Sequence, residues 1–191
     1  VTGAPVVISG CTVRNYTNRF VYVSLSGKIE SLTIDDCIFI GADNSTTNKA
    51  IYASSAHTQV ETLSVTNSTF LNFNTGSNYF FRINCGEELV LMPVVLIDHC
   101  TFYNCYDRRG VYLYNAGRST IKNCISAFSE RRDDTKSFTA YGDESIVKNV
   151  ISYNVDLYGS APKENIISKN PLFVDAENGN FQLYKDSPAG G

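Results

Sequence analysis

A six-residue phrase recurs six times along the chain, and it limits the fold more than any other feature of the sequence. Each copy has an aliphatic residue, a polar residue, a bend residue, a small residue and then two positions rich in β-formers. The copies begin at Ile8, Ile34, Val65, Ile97, Ile121 and Val147, so successive copies are 26, 31, 32, 24 and 26 residues apart. A repeat of this length is typical of a solenoid, in which each repeat covers the apolar face of the next.

The pattern inside the phrase predicts short strands joined by corners of one residue. The first, fourth and sixth positions are apolar or small, whereas the second and fifth are mostly polar. The third position is always a residue that readily adopts the left-handed backbone conformation: Gly10, Asp36, Asn67, His99, Asn123 and Asn149. We expect a second column of such corners at Asn15, Gly41, Asn72, Asn104 and Asn154.

Each repeat also contains a second β-prone segment, at 20–23, 50–53, 80–83, 110–113 and 138–141. The chain has no run of ten residues with helical periodicity, and the repeat gives no reason for the hairpins of a β-sandwich. We therefore predict an all-β fold, a right-handed single-stranded parallel β-helix of about six coils over residues 1–169. Residues 170–191 would form a closing segment of the same domain.

Length and charge indicate a single domain and argue against two functional classes, nucleic-acid-binding proteins and membrane-spanning proteins. The 191 residues suit one domain with a sizeable core. The net charge of −3 argues against a nucleic-acid partner, and no apolar run approaches the roughly 20 residues needed to cross a bilayer. Because the first repeat begins almost at Val1, we expect a piece of a longer protein, or a mature chain whose upstream domain was removed. We also expect a monomer.

Four cysteines share the fourth position of the phrase: Cys11, Cys37, Cys100 and Cys124. Neighbouring coils are about 4.8 Å apart, so the Cα atoms of two adjacent pairs would lie within disulfide range. Stacked side chains point in the same direction, however, which rarely allows the torsion of a disulfide. We expect buried free thiols, with disulfides between Cys11 and Cys37 and between Cys100 and Cys124 as the alternative.

We expect neither a metal nor a cofactor. His57 is placed in a loop and His99 at a corner, and there is no paired Cys-x-x-Cys. Asp35 and Asp98 would lie two coils apart, about 9.6 Å, too far for one calcium ion. Asp98 should instead form an exposed ion pair with Lys122 in the next coil.

The outward row of the second strands is the candidate binding surface, and it contains Tyr22, Tyr52, Arg82 and Tyr112, bordered by Tyr114 and Tyr141. Stacked tyrosines can carry pyranose rings, and Arg82 can pair with a uronic carboxylate in fork geometry. The alternative is that stacked tyrosines only stabilise an exposed sheet. Arg109 would reach the edge of the row, although solvated loop charge also explains it.

The repeats resemble the pectate-lyase-like superfamily, and the C-terminal motifs strengthen the resemblance. Asn170-Pro171-Leu172-Phe173-Val174-Asp175, followed by 179–183 and 186–189, is similar to the closing segment of uncharacterised secreted lyase-like β-helix domains of gut Bacteroidetes, within the chondroitinase-B/alginate lyase group. The resemblance implies secretion or an outer cell-surface location, and a closing segment that packs as a cap. Lyases of this superfamily abstract a proton with Lys or Arg, which makes Arg82, Arg109 and Lys122 weak catalytic candidates. The sequence lacks their Lys/Arg pair with Asn and Glu on adjacent rungs.

Three functions remain open at this point. We favour a non-catalytic domain that binds polysaccharide, with or without uronate sugars. The alternatives are a polysaccharide lyase, or part of one, and a structural stalk or adhesin segment.

Overall fold

The computed structural model describes residues 3–23, 28–42, 48–53, 59–74, 79–84, 93–114 and 116–190. His57 and the remaining cysteine, Cys85, lie outside the described residues. Within these ranges the chain forms nineteen strands and one short 3-10 helix. The strands are β1 Val6–Ser9, β2 Thr12–Val13, β3 Arg19–Val23, β4 Lys28–Asp35, β5 Ile38–Ile40, β6 Lys49–Ala53, β7 Gln59–Thr66, β8 Thr69–Leu71, β9 Phe81–Asn84, β10 Val94–Asp98, β11 Thr101–Tyr103, β12 Val111–Tyr114, β13 Ser119–Ala127, β14 Lys136–Ala140, β15 Ile146–Tyr153, β16 Asp156–Tyr158, β17 Lys163–Ile167, β18 Phe173–Asp175 and β19 Asn180–Leu183; the helix is η1 Ala176–Asn178.

The strands pair in parallel between successive coils and form two large sheets. The first sheet has eleven strands. The strands before and after the corner of the phrase belong to one sheet because β13 and β15 run through that corner without interruption. The second sheet has six strands, in the order β16-β14-β12-β9-β6-β3. Parallel pairing between coils confirms the all-β parallel β-helix; its right-handed winding stays a prediction, one that the usual handedness of parallel crossovers favours.

The register between coils places each position of the phrase above its counterpart. Ile8 pairs with Ile34, which pairs with Val65, and the same column continues through Ile97, Ile121 and Val147. The sixth position builds the centre of the core, where Phe70 stacks on Phe39 at 4.9 Å and on Phe102 at 5.0 Å. These separations are close to the spacing between strands, so the aromatic stack follows directly from the register.

The corners have the backbone conformation that the sequence predicts. All six third positions of the phrase have positive φ, between 51° and 63°. In the second column Asn15, Asn72, Asn104 and Asn154 also have positive φ, whereas Gly41 does not. A Cβ at position 41 would lie 2.4 Å from the carbonyl oxygen of Asn72, so this corner needs glycine for the close approach of the backbone.

The described cysteines are free thiols, as expected. Cys11 is exposed, whereas Cys37, Cys100, Cys105 and Cys124 are buried. The thiol of Cys124 donates to the Lys122 carbonyl at 3.0 Å, and burial raises its pKa. Cys37, Cys100 and Cys124 therefore pack as small buried side chains that also donate to corner carbonyls. The expectation of a buried thiol is wrong for Cys11, because its strands lie at the ends of the sheet and have a neighbouring strand on one side only.

The C-terminal segment forms an antiparallel hairpin of β18 and β19. Its side chains Phe173 and Phe181 pack against a column of residues from successive coils that includes Leu71, Tyr103 and Ala127. The resemblance led us to expect a cap on the last coil. The observed contact lies on the side of the stack, across several coils, and a cap on the last coil stays a prediction.

Candidate functional site

The second sheet places the four predicted binding residues in one line. Tyr22 pairs with Tyr52, Tyr52 with Arg82, and Arg82 with Tyr112. The residues just before them in the sequence are Val21, Ile51, Phe81 and Val111, and all four belong to the buried core. Alternation along each strand therefore points the line outward, and we call these four residues the tyrosine row.

Exposure falls along the tyrosine row. Tyr22 is 51% exposed, whereas Tyr112 is only 6% exposed. The ring of Tyr112 is covered by the stacked rings of Tyr79 and Tyr114 and by the guanidinium of Arg109, 4.7 Å from the ring centroid. Contact with a ligand would therefore be concentrated at Tyr22, with the half-buried Tyr52 and Arg82 beside it.

Arg82 is held among tyrosines. Its Nη1 donates to the hydroxyl of Tyr52 at 3.3 Å and to the hydroxyl of Tyr79. Its guanidinium carbon lies 4.7 Å from the centroid of the Tyr79 ring, within the range of a cation–π interaction. The Nε of Arg82 is buried without a hydrogen-bond partner. The guanidinium is thus oriented by the protein and retains an unused donor.

A second column runs beside the tyrosine row, three residues earlier in each coil. We call it the flanking column, and its members are Arg19, Lys49, Tyr79, Arg109 and Lys136. Arg19 lies 4.4 Å from the ring centroid of Tyr22 and 4.5 Å from that of Tyr52. Each of the first four coils therefore supplies one tyrosine and one cation to this face, with the order reversed in the third coil.

Sequence analysis missed Arg19, Lys49 and Tyr79. The predicted second strands began at residues 20, 50 and 80, just after these three positions. A signal was present, because a cation recurs three residues before most members of the row. Strict alternation would point these residues away from the tyrosines, so the pattern was not recognised.

The face carries positive charge on a protein of net charge −3. Arg19, Arg82 and Arg109 form no ion pair with any carboxylate of the described residues. Lys49 is 7% exposed, and its Nζ donates to the Tyr79 carbonyl at 2.9 Å. Burial lowers the pKa of Lys49, while the charge of the buried Asp107 opposes that shift. An anionic ligand would therefore meet guanidinium groups that form no ion pair with another described residue.

Lys122 lies apart from the other two catalytic candidates. It belongs to β13 in the first sheet, whereas Arg82 belongs to β9 in the second. Its Nζ lies 3.1 Å from Oδ2 of Asp98, which is the predicted ion pair. The Asp98 carboxylate is only 14% exposed, so the pair is more buried than the sequence suggested.

The described part of the chain contains no group of three His, Cys, Asp or Glu side chains arranged to hold a metal ion. It also contains no helix with the length and apolar character needed to span a membrane.

Comparison with known families shows a match to part of the chain. A family model described as "Domain of unknown function (DUF4957)" matches residues 2–73. The matched part includes Tyr22 and Tyr52 and ends before Arg82 and Tyr112. A comparison with curated proteins finds no match.

Proposed function

We propose that this domain binds an extended polysaccharide across the tyrosine row and the flanking column, without catalysing a reaction. The observation that carries the proposal is the supply of one tyrosine and one cation by each of four consecutive coils. Tyrosine combines an apolar ring face with a polar hydroxyl, which suits the apolar faces and hydroxyl groups of sugar rings. The coils repeat about every 4.8 Å. The accessible groups follow one another along the face as Arg19, Tyr22, Tyr52, Arg82 and Arg109, whereas Tyr112 and Lys49 are covered.

The charge of the face favours acidic sugars over neutral ones. A guanidinium can form two parallel hydrogen bonds with a carboxylate, and this geometry is specific as well as strong. Arg82 and Arg19 are the groups best placed for such a contact, because their guanidinium groups already lie against the tyrosine rings. The resemblance to secreted members of the pectate-lyase-like superfamily supports a uronate-containing glycan and a location outside the cell or on its outer surface.

Affinity electrophoresis in gels that contain a polysaccharide tests the proposal. We expect acidic polysaccharides to retard the parent protein. Tyr22→Ala and Arg82→Gln should each weaken retention about tenfold, because each removes a central contact. Tyr184→Ala is the matched control, since Tyr184 is 57% exposed and belongs to the C-terminal segment.

If the parent binds a polysaccharide and Tyr22→Ala and Arg82→Gln are retarded as strongly as the parent, the glycan binds at another surface of the domain. If the parent binds none of a broad panel of acidic and neutral polysaccharides, the domain is a structural stalk or adhesin segment instead.

A polysaccharide lyase is the second candidate, and Lys49 favours it. Burial lowers the pKa of Lys49, which makes its neutral amine, the form that can accept a proton, more accessible than in an exposed lysine, and Arg82 and Tyr79 lie on the same face. Incubation with pectate, alginate or chondroitin should then produce the absorbance of a 4,5-unsaturated sugar, and Lys49→Met should abolish it. A parent that binds these polymers but yields no such absorbance would exclude the lyase.

A further inference from the structure

A cavity of about 350 Å³ opens where the tyrosine row ends. It is lined by Arg108, Arg109, Asp134, Lys136, Tyr141 and Tyr158. Tyr141 also contacts the ring of Tyr112, with the centroids 6.5 Å apart, so the cavity is continuous with the row. Its volume lies at the lower end of the range for sites that hold small ligands or single groups of larger ones.

The tyrosine row is interrupted beside the cavity. The coil after Tyr112 has the short, buried Thr139 at the row position, and the following coil has Tyr158, which is 56% exposed. The Thr139 hydroxyl donates to the Arg109 carbonyl at 3.1 Å. The polypeptide that carries Arg109 therefore lies over Thr139, at the position where a tyrosine ring would otherwise stand.

Two glycines fix the walls of the cavity. Gly110 has a φ of 53°, and a Cβ there would lie 2.3 Å from the carbonyl oxygens of both Lys136 and Ser137. This close approach brings Arg108 and Arg109 next to Lys136. Gly159 has a φ of 98°, and a Cβ there would lie 1.9 Å from the Ala140 carbonyl oxygen. It brings Tyr158 to Tyr141 in the same way.

The cavity has an excess of positive charge and of hydrogen-bond donors. Arg108 and Arg109 are exposed, and neither forms an ion pair within the described part of the chain. The Lys136 ammonium lies 3.3 Å from Asp156, but Asp156 is shared with Arg131 at 2.9 Å. Asp134 is the carboxylate among the lining residues. Three cations, two tyrosines and a single carboxylate thus line the same space.

We propose that the cavity formed by Arg108, Arg109, Lys136, Tyr141 and Tyr158 binds an anionic substituent of the glycan, either a carboxylate or a sulfate ester. This assignment rests on the proposed function, because the glycan on the tyrosine row brings the anion to the cavity. A sugar residue whose acidic group occupies the cavity would fix the position of the glycan along the tyrosine row. Both kinds of anion accept several hydrogen bonds from arginine.

Two kinds of measurement test the assignment. Affinity electrophoresis uses polygalacturonate for the carboxylate, dextran sulfate for the sulfate ester and dextran as the neutral polymer. NMR titration of the parent uses sodium sulfate and sodium glucuronate, with sodium chloride at equal ionic strength as the reference. The test variant is Arg108→Gln/Arg109→Gln, and Arg14→Gln/Lys185→Gln makes the same change of charge at exposed sites away from the cavity.

We expect the test variant to lose retention by one or both acidic polymers about tenfold or more, while the control pair stays within twofold of the parent. Saturable shifts at residues 108–110, 136, 141 and 158 should appear with sulfate or glucuronate and disappear in the test variant. Which polymer responds identifies the anion.

Failure of the glycan-binding proposal and failure of the cavity assignment would give different experimental results. If Tyr22→Ala weakens retention but Arg108→Gln/Arg109→Gln behaves like its control, the glycan-binding function stands and the cavity assignment is wrong. If no polymer retards the parent but sulfate or glucuronate gives saturable shifts at the cavity, the anion site stands without the glycan. If no shift exceeds that caused by chloride, the anion site is overturned.

Discussion

Asparagine and glycine at the corners decide where each coil turns. A residue with a Cβ carries a cost of roughly 1–2 kcal/mol in the left-handed region, and asparagine bears it better than most. The corner amides also connect the coils, since Asn165 donates to Asn149 at 3.0 Å and Asn149 to Asn123 at 3.1 Å. Asn123 in turn donates to Asp98 at 2.9 Å. One residue type therefore satisfies both the turn and the contact between coils.

Alanine substitutions at Gly10 and Gly110 distinguish the cost of backbone strain from the cost of a steric clash. Both have positive φ, but a Cβ at position 10 would meet nothing within 4 Å. We expect Gly10→Ala to lower the free energy of unfolding by about 1 kcal/mol from strain alone. Gly110→Ala should cost about 3 kcal/mol or more, because a Cβ would collide with two backbone carbonyls. Urea unfolding measures both variants, and equal losses would contradict the steric argument.

Asp98 should make the stability of the fold depend on pH. Burial raises the pKa of Asp98, but hydrogen bonds from Lys122 and Asn123 and the charge of His99 outweigh it, so that the pKa falls below 3.8. A carboxyl group whose pKa is lower in the folded state contributes stability above its unfolded pKa. That contribution is lost as the pH falls through the folded pKa.

We therefore expect Asp98→Asn to be less stable than the parent at pH 7 and to lose less stability between about pH 5 and pH 2. Urea unfolding across this range is the measurement, with the exposed Asp186→Asn as control. Asp35, whose pKa is also lowered, accounts for part of the acid dependence that remains. If the free energy of unfolding depends on pH in the same way in Asp98→Asn and in the parent, Asp98 does not contribute to the loss of stability in acid.

At the scale of elements, the C-terminal hairpin is attached to the coils by aromatic contacts and one polar contact. Phe181 lies 5.6 Å from the ring of Tyr103 and 5.2 Å from that of Phe173. The Tyr103 hydroxyl donates to Glu177 at 2.6 Å, and burial together with that carboxylate raises the pKa of Tyr103. The hairpin thus covers apolar residues of several coils at once.

Phe181→Ala should loosen the hairpin without unfolding the coils. The half-buried ring contributes about 1–2 kcal/mol, less than a fully buried phenylalanine. Hydrogen exchange should become faster at residues 173–183 and stay unchanged at Val65 and Ile97 in the central coils. Tyr184→Ala, which removes an exposed ring, serves as the control. Faster exchange throughout the coils would mean that the hairpin stabilises the whole domain.

At the scale of the whole molecule, stacking converts a weak local pattern into a continuous surface. A tyrosine and a cation three residues apart mean little in one coil. When four coils place them in register, the result is a face with several guanidinium groups that pair with no carboxylate of the described segments. The anion cavity arises in the same way, from a threonine in one coil and glycines that bring neighbouring coils together.

The amino-acid sequence was enough to predict the parallel coils, most of the inward columns and most of the corner residues, and it also predicted the pairing of Asp98 with Lys122. These features depend on local backbone preference and on a repeat that aligns like with like. The folded structure was needed to show that Tyr112 is covered, that Arg19 lies between two tyrosines, and that the hairpin packs across several coils. Those outcomes depend on side chains from different coils and on loops of unequal length, whose contacts no local pattern encodes.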